Sequence, residues 1–80
     1  MKYNYVTSGT CSRAIEFEVD DAGCVHNVKF MGGCNGNLQG ISALVEGLPV
    51  ADVVSCLEGI KCGVKATSCP DQLACALKKV

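Results

Sequence analysis

The sequence predicts an α+β fold in which a three-stranded antiparallel sheet is followed by three helices. In the first third of the chain, apolar residues alternate with polar ones, which is typical of half-buried strands. After Gly32 and Gly33 the apolar residues recur at helical spacing instead. Because the strands come first and the helices last, the order βββααα predicts helices packed on one face of the sheet.

The strands are predicted from alternation and from one turn. A short strand, YNYV, opens the chain, and AIEFEV (residues 14–19) alternates apolar and acidic side chains. DDAG (residues 20–23) has the composition of a hairpin connection, with a glycine available for a positive φ. In CVHNVKFM, which follows, Val28 and Phe30 share one face, and Cys24 has the same parity, so all three are expected to point inward.

The helices are predicted from apolar spacing and from their end signals. Three apolar stripes are expected to be buried: Leu38, Ile41, Leu44, Val45 and Leu48; Val50, Val53, Val54, Leu57 and Ile60; Leu73, Leu77 and Val80. EGLP (residues 46–49) ends the first helix with Gly and starts the second with Pro, and Gly59 ends the second. Ser68 is the expected N-cap of the third, with Pro70 in its first turn and Asp71 as a capping-box-like partner.

Length and composition limit the class of protein. Eighty residues are expected to form a single domain, 1–80. A chain of this size buries only about 60% of its unfolded surface, and domains this small are often stabilised by a bound metal or a covalent cross-link. No apolar run approaches the roughly 18 residues of a membrane span, and the N-terminus lacks a signal-peptide pattern, so we expect a cytoplasmic protein. The seven basic residues are scattered, so no nucleic-acid partner is expected.

Seven cysteines are far more than a chain of this length ordinarily carries. The cytoplasm keeps thiols reduced and the count is odd, so a disulfide framework is not expected. Cys24 and Cys56 lie on predicted apolar faces, where a reduced cysteine packs as a small hydrophobe. Cys75 falls off the buried stripe of its helix and receives no function.

The other four cysteines, Cys11, Cys34, Cys62 and Cys69, lie in connections, and three of them have Gly within two residues. Glycine lets backbone N–H groups approach sulfur, and such hydrogen bonds offset thiolate charge in a metal site. Cys34 and Cys69 also lie at predicted helix starts, which favour the thiolate form. The pattern is consistent with a zinc or iron–sulfur site, but without a C-x-x-C pair it is equally consistent with incidental loop cysteines.

Other polar motifs give weaker signals. GGCNGN could form an anion-binding or nucleotide-binding nest at a helix start, built on Gly33, Asn35, Gly36 and Asn37, although no Gly-Lys-Ser/Thr completes a phosphate loop. His26, the single histidine, is expected to be an ordinary polar residue rather than a ligand. No arrangement typical of a catalytic triad or dyad is found, so no catalytic residue is proposed.

At TSCPD, residues 67–71, the chain resembles the TSCPD-domain family, and GTCS, GGCNGN, LVEG and GIKC fit the same pattern. It looks like a small stand-alone member of a family that also occurs fused to adenosylcobalamin-dependent ribonucleotide reductases. The resemblance implies an association with ribonucleoside-diphosphate reductase and DNA precursor synthesis. Ribonucleotide reduction by this chain alone is not expected, because 80 residues cannot house the necessary cofactor and substrate sites around one core.

The order and spacing of VKFMGGCNGNLQGISALVEG and SCPDQLACALKK are also similar to U-type iron–sulfur scaffold proteins. That resemblance implies cluster-binding roles for Cys34, Cys62 and Cys69. Gly36 and Ser68 stand where the scaffold proteins have an aspartate and a histidine, groups that go with a transferable cluster. A fourth thiolate from Cys11 would favour a permanently held zinc ion or iron–sulfur cluster.

Two classes of function therefore stay open. The first is a four-cysteine metal-binding module that is an accessory to, or a relative of, a ribonucleotide reductase domain, with a reductase, an iron–sulfur protein or a sulfur-transfer protein as partner. The second is a thiol redox or sulfur-handling protein that uses Cys69 and Cys62, and nucleotide binding at GGCNGN is a third possibility. The sequence does not indicate an oligomeric state.

Overall fold

The chain folds as three strands followed by three helices, which confirms the predicted α+β class. The computed structural model describes residues 1–7, 12–32, 35–61, 63–64 and 67–80. The strands are β1 (Lys2–Val6), β2 (Ser12–Val19) and β3 (Val25–Gly32), and the helices are α1 (Asn35–Val45), α2 (Val50–Leu57) and α3 (Cys69–Leu77). The sheet is antiparallel throughout, in the order β1-β2-β3.

The β2–β3 connection is the hairpin turn that the sequence predicts. Gly23 has a φ of +82°, a conformation that glycine adopts without steric cost. Asp20 Oδ1 accepts hydrogen bonds from the backbone N–H groups of Ala22 and Cys24, at 3.0 and 2.9 Å. The aspartate side chain thereby closes the turn and fixes the register of the two strands.

The hydrophobic core lies between one face of the sheet and the helices. Its buried members are Ile15, Phe17, Val25, Val28, Val45, Val53, Leu73, Ala76 and Leu77. The alternation in β2 is confirmed, because Ile15 and Phe17 are buried between more exposed glutamates. Complete burial of one apolar side chain the size of Val, Leu, Ile or Phe stabilises the fold by about 1.5–3 kcal/mol.

A β-bulge interrupts β3. Between the pairs Glu16 with Lys29 and Glu18 with His26, the register advances two residues in β2 but three in β3. The extra residue is accommodated at Asn27, whose φ of 54° lies in the left-handed region that asparagine tolerates better than most residues.

The bulge overturns the predicted inward position of Cys24. Val28 is buried as expected, but an extra residue reverses the parity of everything that precedes it, so Val25 is fully buried. Cys24 is only half-buried and pairs with Pro49 in an isolated bridge at the outer edge of β3. The alternation in the sequence therefore predicts the wrong face for the strand residues before Asn27.

The connection between α1 and α2 pairs with the start of β3. Gly47, with a φ of +80°, donates its N–H to the Val25 carbonyl at 2.7 Å. Val25 donates to the Leu48 carbonyl at 2.8 Å, and Val50 donates to the Gly23 carbonyl at 2.9 Å. Residues 47–50 thus occupy part of an edge that would otherwise present unpaired backbone groups.

Cys56 is exposed, so its predicted position in the core is wrong. The buried stripe of α2 runs through Val53, which is fully buried, with Val50, Val54 and Leu57 packed beside it. Successive helical residues are about 100° apart, so Cys56 is displaced around the helix from Val53 in the direction opposite to the other stripe residues. It therefore lies outside the buried stripe. Helical spacing in the sequence identifies an apolar face but does not show how much of that face the rest of the protein buries.

Four other residues predicted to be buried are also exposed: Leu44, Leu48, Ile60 and Val80. Leu44 is 78% exposed because α1 directs Leu38 and Val45, not Leu44, toward the rest of the chain. The other three lie beyond the last residues of their helices, where the helical periodicity no longer applies. Among the described residues, no helix is both long enough and apolar enough to cross a membrane.

Candidate functional site

Of the four predicted metal ligands, Cys69 is the one that the structure describes, and it is the first residue of α3. The preceding residue, Ser68, is the N-cap: its Oγ accepts a hydrogen bond from the Asp71 N–H at 3.1 Å. Pro70 lies in the first turn, where a missing N–H costs nothing. The helix start predicted from Ser68, Pro70 and Asp71 is confirmed, and it places Cys69, which is half-buried, at the positive end of the helix dipole.

The polar side chains of the motif bind the end of α2 as well as capping α3. Ser68 Oγ donates to the Ile60 carbonyl at 2.7 Å, and Asp71 Oδ1 accepts from the Gly59 N–H, also at 2.7 Å. Thr67 Oγ1 donates to Asp71 Oδ2, and it accepts from Gln72 Nε2 at 3.0 Å. We call Thr67, Ser68, Asp71 and Gln72, with the Gly59 and Ile60 backbone, the motif cluster.

The side chains of the motif cluster are half-buried or almost completely buried, whereas Gly59 and Ile60, which contribute their backbone, are exposed residues. Ser68 and Gln72 are 4% and 7% exposed. The pKa of Asp71 is lowered from its ordinary value, chiefly because the Thr67 hydroxyl and the Gly59 N–H donate to the carboxylate, with a smaller contribution from the charge of Lys78. Asp71 is therefore ionised at neutral pH and accepts hydrogen bonds from both sides of the α2–α3 connection.

Sequence reasoning identified the cap but missed the tertiary half of the motif cluster. In a capping box, the side chain of the third helical residue accepts a hydrogen bond from the N-cap N–H. The Asp71 carboxylate instead accepts from the N–H of Gly59, twelve residues earlier in the chain. The available signal was Gly59 itself, a glycine at a helix end. Glu58 before it has an extended backbone, with a ψ of 134°, so the Gly59 N–H turns away from α2 and donates to Asp71 instead.

Cys11, Cys34 and Cys62 lie outside the described residues, so the predicted four-cysteine site is untested. Their described neighbours can be placed. Ser12 and Gly32, which flank the segments containing Cys11 and Cys34, are cross-strand partners at one end of the sheet. Among the described residues, no three histidine, cysteine, aspartate or glutamate side chains are grouped so that they could hold a metal ion.

The predicted anion-binding loop is described only in part. Gly33 lies outside the described residues, while Asn35 is the first residue of α1, and Gly36 and Asn37 are exposed in its first turn. That turn contains no acidic residue. Anion or nucleotide binding at this position stays a prediction.

Comparison with known families gives a match that spans the whole chain. Residues 1–80 match the profile of the TSCPD domain. No curated protein and no solved structure gives a significant match. The resemblance to U-type iron–sulfur scaffold proteins therefore remains a prediction. The match covers the strands, the helices and the Thr67–Asp71 motif alike, and the chain belongs to the TSCPD-domain family.

Proposed function

We propose that this chain is a cytoplasmic metal-binding module in which Cys11, Cys34, Cys62 and Cys69 hold a zinc ion or an iron–sulfur cluster. A set of four thiols fits either group, because both are bound through thiolate sulfur. As a TSCPD domain it is related to a domain of ribonucleotide reductases. The proposed partner is such a reductase, or an iron–sulfur or sulfur-transfer protein.

The observation that carries the proposal is that hydrogen-bonded residues of the motif cluster flank Cys69 in the chain. Ser68 and Asp71, on either side of Cys69, are both hydrogen-bonded to the backbone at the end of α2. The backbone that carries the thiol is thus fixed from two directions, at a helix start that favours the thiolate. A ligand for a soft metal benefits from this support, since a preorganised ligand loses little freedom on binding.

The positions of the described residues next to Cys11, Cys34 and Cys62 are compatible with a common site for the four cysteines. Ser12, which follows Cys11 in the sequence, and Gly32, two residues before Cys34, are cross-strand partners at one end of the sheet. Cys62 lies between Lys61 and Gly63, in the connection that the motif cluster closes at Gly59 and Ile60. Gly63 has a φ of 58°, which suits a tight turn next to a bound metal.

The test is elemental analysis and absorption spectroscopy on protein purified without oxygen. We expect about one zinc ion or one iron–sulfur cluster per chain, and only a small fraction of that in Cys69→Ser, because a hydroxyl is a poor ligand for soft metals. Cys56→Ser is the matched control, since Cys56 is exposed on α2 and outside the proposed ligand set. Absence of metal from the wild type, or full retention in Cys69→Ser, would reject the proposal.

The second candidate is thiol redox or sulfur-handling chemistry at Cys69 with Cys62. It is favoured by the half-buried position of Cys69, which leaves part of the residue accessible at the start of α3. A reactive thiolate of this kind reacts quickly with iodoacetamide, whereas a metal-bound thiolate reacts slowly until the metal is removed. Rapid labelling of Cys69 in metal-free protein as purified would place this candidate first.

A further inference from the structure

A second polar cluster connects the β2–β3 turn, β3 and the residue that follows α1. Its residues precede those of the motif cluster in the sequence. His26, in β3, contacts two carboxylates: its Nδ1 lies 2.5 Å from Glu46 Oε2, and its Nε2 lies 2.7 Å from Asp20 Oδ2. Glu46 Oε1 also accepts from the N–H of Asn27, the bulge residue, at 2.9 Å. We call Asp20, His26, Asn27 and Glu46 the histidine cluster.

The geometry of the histidine cluster depends on the protonation state of His26. Carboxylate oxygens accept hydrogen bonds, so both contacts are satisfied only when both ring nitrogens carry protons. The neutral ring has one N–H and must leave one carboxylate facing a lone pair. The pKa of His26 is raised from its ordinary value by the hydrogen bond to Asp20 and then by the one to Glu46.

The two groups that contact the ring are acidic, and a third acidic residue lies opposite His26 in the sheet. The turn contributes Asp20, the residue after α1 contributes Glu46, and β2 contributes Glu18, the cross-strand partner of His26. Glu18 is itself occupied, since it accepts from Asn27 Nδ2 at 2.9 Å. The contacts with Asp20 and Glu46 favour the charged ring.

Glu46 is the partner that a neutral ring releases. Asp20 is held in the turn by two backbone N–H groups, whereas Glu46 is held to the rest of the cluster by one, that of Asn27. Glu46 immediately precedes Gly47, whose N–H begins the pairing of residues 47–50 with β3. Loss of the Glu46 contact therefore acts directly on the attachment of the α1–α2 connection to the sheet.

We propose that His26 is a pH-responsive clamp that holds the α1–α2 connection against β3 when protonated and loosens it when neutral. The raised pKa gives the sign of the effect. The stabilisation is fully present below the ordinary histidine pKa of about 6.5, and it is lost as the pH rises through the higher pKa of the folded state. The clamp acts on local attachment and leaves the core between the sheet and α3 in place.

The test combines a histidine titration with amide hydrogen exchange. Because the chain has one histidine, its ring proton signal reports the pKa of His26 directly by NMR. We expect that pKa to exceed the ordinary value and to fall in Glu46→Gln. The protection factors of the Val25, Gly47 and Val50 amides, corrected for intrinsic exchange, should fall roughly two- to fivefold above the pKa, the range for one exposed ion pair.

Two variants and one reference amide make the test decisive. In His26→Gln the three amides should have the lower protection at every pH, while Lys29→Gln, an exposed change in the same strand, should behave like the wild type. The Gln72 amide in α3, bonded to Ser68, should show no pH step. An ordinary His26 pKa, the same pH step in His26→Gln, or an equal loss of protection at Gln72 would each overturn the proposal.

Discussion

The motif cluster and the histidine cluster both join elements that are separate in the sequence, but they do so in different surroundings. The motif cluster includes Ser68 and Gln72, which are almost completely buried. In the histidine cluster the side chains of His26, Asp20 and Glu46 are 34%, 43% and 47% exposed. Hydrogen bonds shielded from water are stronger and their unpaired groups are costlier, whereas exposed ion pairs are weakened by solvent and salt.

The comparison shows why one cluster is suited to support a site and the other to respond to conditions. In the motif cluster the one titrating group, Asp71, has a lowered pKa and keeps its charge throughout the neutral range. The histidine cluster is centred on His26, a residue type whose ordinary pKa lies near neutrality, and the contacts with Asp20 and Glu46 raise the pKa of this ring.

Replacing Asp71 should have the largest effect. Asp71→Asn removes the charge that accepts from Gly59 and Thr67, and hydrogen bonds to a charged group contribute about 1.5–3 kcal/mol. We expect a loss of that size in the free energy of unfolding, measured with urea. Asp52→Asn, an exposed change in the first turn of α2, is the control and should cost much less. Equal losses in the two variants would contradict a special role for Asp71.

Removing the N-cap should have the next largest effect. Ser68→Ala leaves the Asp71 N–H and the Ile60 carbonyl without their buried partner, and loss of a cap costs about 0.5–2 kcal/mol. Urea unfolding should show this loss, and Ser68→Thr, which keeps the hydroxyl, should recover part of it. Ser55→Ala on the exposed side of α2 serves as the reference. A fully stable Ser68→Ala would mean that water replaces the hydroxyl.

Acid should abolish the contribution of Asp71. Because the folded-state pKa is lowered, the stabilisation is present above the ordinary aspartate pKa and is lost as the pH falls through the folded value. The difference in urea midpoint between the wild type and Asp71→Asn should therefore shrink toward zero in strong acid. A difference that persists unchanged at the lowest pH would show that the charge of Asp71 is not its source.

The two clusters should differ in their response to salt, although the effect is smaller. At about 1 M ionic strength the Debye length is about 3 Å, so exposed charges are strongly screened. We expect the pKa of His26, followed by NMR, to move back toward its ordinary value, while the stability difference between the wild type and Ser68→Ala stays the same. A salt-independent His26 pKa would indicate that the carboxylates act through their hydrogen bonds alone.

The smallest effect is expected at the Lys78–Glu58 pair. Lys78 Nζ lies 2.5 Å from Glu58 Oε1, but both side chains are about half exposed, and such pairs contribute little. Lys78→Gln should leave the urea midpoint at neutral pH unchanged within error. A clear loss of stability would show that the ends of α2 and α3 depend on this pair as well as on the motif cluster.

Signals confined to neighbouring residues were read correctly from the sequence. The hairpin at Asp20–Gly23, the break at Gly47 and Pro49, and the N-cap at Ser68 each depend on conformational preferences within a few residues. The start of α3 at Cys69 follows from the same local signal. These elements determine the order βββααα and therefore the fold class.

What the sequence did not predict depends on contacts between distant residues. Asn27 is compatible with an ordinary strand until β2 pairs beside it, and only then does the bulge direct Val25 inward instead of Cys24. Likewise Cys56 and Leu44 fit apolar stripes, and only the placement of the helices decides which part of each stripe is covered.

The elements, their order and the cap that positions Cys69 could be predicted from the sequence, because they follow from local backbone preferences and periodicity. The tertiary structure alone decided that Asp71 binds Gly59 and that His26 lies between Asp20 and Glu46. Such partners are 6 to 20 residues apart, and side chains of these types meet many alternative partners in an unfolded chain. Packing of the sheet and helices selects one pairing, and the burial it creates decides whether that pairing is a fixed support or responds to pH.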